Sequence, residues 1–193
     1  VRWKPLLPVE KVRSIVESDG TFKRHATAIH EGGAVFAEIM AELQAQLDLA
    51  RSKGLTIAYV DAHMAFPWLF EESDEHRLCE VMQKWAQKEG LIYAGWGNTL
   101  GFKRLPELQG EKGDPLQSLA ERINAAEPGT YLVVTHPMYD DEEARKANHG
   151  KNEPGEVARS RDMQRRMFMD PVILKAYKEK QAEPIRYIDA FSA

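Results

Sequence analysis

Cys79 is the only cysteine among 193 residues, so an intrachain disulfide is impossible and a cysteine-built zinc site is excluded. A chain this poor in thiols fits the reducing cytoplasm. No apolar run approaches the roughly 20 residues that a membrane-crossing helix needs, so no membrane partner is expected. Charge of one sign is lacking too. The 26 basic residues face 30 acidic ones, a formal net charge of −4 with no long block of either. Nucleic-acid binding normally leaves a basic face, and none is expected here. P-loop, G-x-G-x-x-G and G-x-S-x-G motifs are absent, which removes common signatures of nucleotide binding and serine hydrolysis. There is no initiator methionine and no secretory signal. Val1-Arg2-Trp3-Lys4-Pro5 reads as mid-chain loop, so a longer amino terminus is expected in the native protein.

What is present is a chain with 43% apolar residues, long enough to bury a sizeable core within a single domain spanning residues 1–193. After loop to about Gly32, Val35, Ile39, Leu43 and Leu47 recur at i, i+4 spacing and predict a helix stopped by Gly54. A strand is expected over 55–60. A second helix, capped by Asp74, buries Leu78, Val81, Met82 and Trp85 and stops at Gly90. A short strand over 91–94 follows. Asp114-Pro115 supplies an N-cap with proline in the first turn, opening a helix through Ala126. A strand is expected over 130–135. The segment from His136 to about Gly155 is too long for a plain connector and reads as a lid or a disordered loop. Helices around 156–169 and from Asp170-Pro171 lead to a last strand over 185–189.

Helix and strand alternate throughout. This is the pattern of an α/β protein with a parallel sheet covered by helices. Four strands are too few for a closed barrel of about eight. The expectation is a small open sheet or the later part of a barrel whose first strands are absent.

Two strand-like runs each end on a histidine: Val60-Asp61-Ala62-His63 and Thr135-His136-Pro137. In a parallel sheet the carboxyl ends of strands share one rim, where ligands bind. Asp61 and His63 are two apart, so an extended chain puts both on one face. The pair can ligate a metal, or the carboxylate can hold the imidazole's tautomer. The same pattern also suits a strand-end aspartate capping a loop beside a surface histidine. His136 likewise fits a rim ligand or a satisfied loop histidine. Trp96 and Trp68 can stack on a sugar ring or pack in the interior. Arg159, Arg161, Arg165 and Arg166 form a basic cluster on one helix, solvated except where one meets a carboxylate. Asp140, Asp141, Glu142 and Glu143 read as a solvated helix start. His25, His30, His76 and His149 have no partner pattern.

In this order the pieces resemble the YdjC-like carbohydrate deacetylases, the group that includes chitooligosaccharide deacetylases. Carrying the resemblance are Glu42-Leu43-Gln44-Ala45-Gln46 on the first helix, Gly54, the Asp61-Ala62-His63 strand end, Thr135-His136-Pro137, and Arg161 with Met169-Asp170-Pro171. It runs from about Leu6 to the last expected strand.

The resemblance implies an irregular (β/α) barrel, here the carboxyl-terminal two-thirds of one. It also implies a divalent metal ion, Mg²⁺ or Zn²⁺, and hydrolysis of the acetamide of an N-acetylated amino sugar or oligosaccharide. Carried over residue by residue, His63 is a metal ligand, Asp61 a catalytic carboxylate supporting it, and His136 a substrate-facing catalytic group acting as general acid. Apart from that carry-over, Trp96, by its aromatic face, and Arg161 are the candidate substrate contacts. The partner implied is a small carbohydrate, and a homodimer is left open. Family members commonly continue D-x-H-x-H, whereas Ala65 stands at the second histidine's place. The alternative is therefore a non-catalytic sugar-binding or scaffold relative with a degenerate metal site.

Overall fold

The computed structural model describes residues 2–62, 78–95, 100–107, 114–147 and 152–191. The chain forms two compact units, Val1–Leu100 with Arg186–Ala193, and Gly101–Ile185. No helix among the described residues is long and apolar enough to cross a membrane.

In the first unit, helix α1 spans Ala26–Glu31 and α2 spans Phe36–Ser52. The α2 periodicity holds for Ile39, Leu43 and Leu47, whereas Val35 is the helix's exposed N-cap, and Gly54 terminates the helix at φ 79°, a left-handed conformation that glycine adopts without a Cβ penalty. Helix α1 is a correction, because residues 26–31 were expected as loop. It is short, buries no residue fully and leaves no apolar period to detect. Strand β1 is Tyr59–Val60 and β2 is Ile92–Tyr93. They pair in parallel, Tyr59 opposite Ile92 and Val60 opposite Tyr93. Helix α3, Leu78–Lys88, lies between them in sequence and buries Leu78, Met82 and Ala86. These residues join Val12, Ile15, Ile39, Leu47 and Leu91 in the unit's core. Leu78 and Val12 are wholly buried. Each such side chain contributes about 1.5–3 kcal/mol relative to exposure.

Two glutamates on α2, one turn apart, hold the amino-terminal segment against that core. Glu38 accepts the Ser14 amide and hydroxyl, both at 2.7 Å. Buried Glu42 accepts the amides of Leu6 at 3.0 Å and Leu7 at 3.1 Å, and the Gln46 side-chain amide at 2.9 Å.

Residues 185–189 do not form the expected strand. Tyr187–Phe191 is a 3-10 helix. Asp189 reaches back to accept the Arg186 amide at 3.0 Å, and the Arg186 guanidinium grips the same carboxylate at 2.8 and 2.9 Å. This local closure takes the place of ladder bonds. The Tyr187 ring packs 4.7 Å from that of Tyr59.

In the second unit, α4 is Pro115–Ala125, α5 is Glu156–Met167 and α6 is Pro171–Lys180. Asp114 and Asp170 cap α4 and α6, accepting the amides of Leu116 at 3.1 Å and Val172 at 2.9 Å. In both helices proline occupies the first turn, as expected. Helices α4 and α6 pack through Leu119, Ala120, Ile123, Ile173 and Ala176. Among the described residues the run over 130–135 pairs at one parallel bridge, Lys103 with Tyr131. The Lys103 amide donates to Thr130 O at 2.9 Å and the Leu132 amide to Lys103 O at 3.0 Å. Val133 and Val134 are exposed. The apolar run expected as a strand forms one isolated bridge among the described residues. Among the described residues the sheet is two-stranded, and the fold is α/β with a small parallel sheet and mostly helix.

Two outcomes follow. Glu42→Ala strands the Leu6 and Leu7 amides and should lower the unfolding free energy by about 1–3 kcal/mol in urea titrations, with faster proteolysis near Leu6. The bonds from Arg186 hold the Asp189 carboxyl down at about 2, from an ordinary 3.8. A carboxyl depressed on folding stabilises above its unfolded value and loses that contribution as pH falls through the folded one. The turn at 187–191 should therefore persist from neutral pH down to the ordinary value and open as pH falls through about 2. Carboxyl-detected NMR titration of Asp189 checks this.

Candidate active site

Helix α5 begins after Gly155 and carries Arg161 and Gln164 three residues apart, so the two share a face. Gln164 Oε1 accepts the His136 backbone N–H at 2.8 Å and an Arg161 guanidinium N–H at 3.3 Å. The Arg161 carbonyl accepts the Met138 amide at 3.3 Å. The end of the 130–135 segment is thereby fastened to α5. His136, Arg161 and Gln164 border a cavity of about 460 Å³ whose other walls include Ser118, Arg122 and Met167. That volume suits a small molecule, for which sites run roughly 300–1,000 Å³.

The cavity's two arginines differ in what they can do. Arg122 donates to Pro106 O at 2.9 Å and Leu105 O at 3.2 Å, which ties α4 to the loop before it. Arg161 is half-buried and its guanidinium bonds Gln164 at the cavity wall. No carboxylate lines the cavity among the described residues. His136 is exposed.

The expected arginine cluster is divided by geometry. Arg165 and Arg166 both pair with buried Asp162 on their own helix, at 2.8 and 2.7 Å. Arg165 also lies 4.4 Å from the centre of the Tyr139 ring. Arg159 donates to Pro154 O at 3.4 Å. The carboxylates expected as a solvated helix start are used locally. Asp140 pairs with Arg145 at 2.6 Å, which holds its carboxyl below the usual range, and Asp141 caps the turn at Ala144–Lys146 with a 2.8 Å bond. The described part of the 136–155 connection is thus built from specific contacts.

Asp61 follows β1 in the first unit, is exposed, and accepts the Ala62 amide at 2.9 Å. His63, Trp96, Trp68, Asp74, His76 and His149 lie outside the described residues. Of the residues singled out from sequence, the structure brings His136 and Arg161 together. Gln164 was not anticipated. A glutamine on a helix carries no motif, and its spacing of three from Arg161 is the one signal that pointed to it.

A small parallel sheet with mostly helices makes this an α/β protein. The YdjC-like protein family profile matches residues 1–179, and the chain belongs to that family. A carbohydrate deacetylase of Thermoanaerobacter pseudethanolicus is 26% identical over 185 residues, covering 91% of this chain and 69% of the relative. A carbohydrate deacetylase of Listeria monocytogenes serotype 4a is 26% identical over 149 residues, covering 72% of this chain and 57% of that protein. The crystal structure of a candidate cellobiose-phosphate cleavage protein of Enterococcus faecalis V583 superposes with a TM-score of 0.69 at 16% identity, over 96% of this chain and 72% of the other, which shows a shared fold.

The division between the arginines is measurable. Arg122→Met should lower the unfolding free energy by roughly 1–3 kcal/mol, since two carbonyls lose a charged donor. Arg161→Met should cost about 1 kcal/mol or less and act instead on ligand affinity. Urea denaturation of the two variants, side by side, checks the ranking.

Proposed function

We propose that this chain is the carboxyl-terminal part of an irregular (β/α) barrel that hydrolyses the acetamide of an N-acetylated amino sugar or oligosaccharide. The observation that carries the reading is the cavity at which His136 and Arg161 meet, tied through Gln164. The two relatives named carbohydrate deacetylases support the reaction class.

The chemistry asks for a group that takes a proton from water and one that gives a proton to the departing amine. Asp61 is an exposed carboxylate after a strand and supports the ligand His63. His136 takes the second, protonating the amine nitrogen as its bond to the acetyl carbon breaks. Arg161 hydrogen-bonds sugar oxygens from the cavity wall.

The reading includes one divalent ion, Mg²⁺ or Zn²⁺, with His63 as ligand and Asp61 beside it. A carboxylate oxygen suits either ion, and an imidazole suits Zn²⁺. Among the described residues no group of three or more His, Cys, Asp or Glu side chains could hold a metal. When bound, such an ion polarises the acetyl carbonyl. Ala65, in place of a second histidine, favours the other reading: a sugar-binding relative that does not turn substrate over.

Acetate release from acetylated amino sugars, measured with the metal content of each variant, decides between them. His63→Ala should abolish metal-dependent release. His136→Ala should keep its metal and lose roughly 10²–10⁴-fold in kcat. An unmutated full-length protein that binds these sugars and releases no acetate rejects the enzyme and leaves the binding protein.

A further inference from the structure

Pro137 has no amide hydrogen, so the backbone donors flanking it are the N–H groups of His136 and Met138. Both end on α5, one on the Gln164 side chain and the other on the Arg161 carbonyl. Proline also confines His136 to extended backbone. The direction in which the His136 side chain leaves the main chain is therefore set by two bonds to one helix and one rigid ring. Gln164 has a further task at the same oxygen, because Oε1 also accepts the Arg161 guanidinium. The amide orientation follows from this pairing, since a flipped amide would point its own hydrogens at two donors.

We infer that Gln164 is a positioning residue. Its single oxygen fixes the His136 main chain and the Arg161 guanidinium relative to each other at the cavity, so that the imidazole and the sugar contact are set together. The inference rests on the proposed deacetylation for its catalytic consequence, and on geometry alone for the tie itself. Small displacements matter in this setting, because a misplacement of about 1 Å can cost 10²-fold in rate. A carboxylate at the same place would keep both acceptances and strengthen the one to arginine. A leucine would keep the bulk and remove the acceptor.

The test compares Gln164→Leu and Gln164→Glu in the full-length protein by amide hydrogen exchange at His136 and by steady-state acetate release. The expected result is loss of His136 amide protection in Gln164→Leu with kcat/KM lowered roughly 10- to 100-fold, and recovery of both in Gln164→Glu to within about threefold of the unmutated protein. Undiminished protection in Gln164→Leu overturns the tie. Lost protection with unchanged kcat/KM overturns the positioning role, as does a Gln164→Glu variant that regains protection but not rate. If the unmutated protein releases no acetate, the proposed function fails. The exchange comparison still decides whether Gln164 holds His136.

Discussion

Two parallel extended segments cannot be joined by a tight turn, because the chain must travel back the full length of the first before the second can start. This return requirement governs both units. Between β1 and β2 the chain carries α3, whose Leu78, Met82 and Ala86 build the core that holds the strands. Between Lys103 and Tyr131 it carries α4, whose Leu119, Ala120 and Ile123 do the same against α6. The extended segments are short, and the helices that return the chain each bury three apolar side chains in their unit's core.

The polar work is done by side chains that close off backbone donors. Glu42 and Glu38 take amides of the amino-terminal segment, Asp114 and Asp170 take the first amides of their helices, and Gln164 takes the amide of His136. Each acceptor lies where a segment without regular structure meets a helix, and there an unpaired N–H would cost about as much as a lost hydrogen bond. At His136 this ordinary structural need coincides with a candidate catalytic group. The bond that satisfies the main chain also sets the side chain's departure point.

Membership of the YdjC-like family and the cavity beside His136 bear on different questions. The family match spans both units, whereas the cavity belongs to the second unit alone. Arg161 illustrates how the two combine. The resemblance picks it from four arginines of one helix, and the geometry gives the reason: Arg165 and Arg166 are engaged with Asp162, Arg159 turns to Pro154, and Arg161 meets the cavity.

Much of the helical framework was legible in the sequence, because its signals are local. Asp-Pro pairs at 114–115 and 170–171 mark helix starts through bonds spanning two residues, and Gly54 marks a stop through its own φ. The parallel pairing of 59–60 with 92–93 followed from the alternation of elements. Strand lengths did not, since a strand extends only as far as its partner does. The run at 130–135 has strand-forming residues and pairs at one bridge. Residues 185–189 have the same look, and an arginine–aspartate clasp three residues long turns them into a 3-10 helix. Beyond its spacing of three from Arg161, Gln164 stands in no pattern, because its other partner lies 28 residues away on the other side of a connection. Sequence determined what each segment tends to be, through interactions between near neighbours. The tertiary structure decided which donors and acceptors meet, because that depends on where distant segments are brought together.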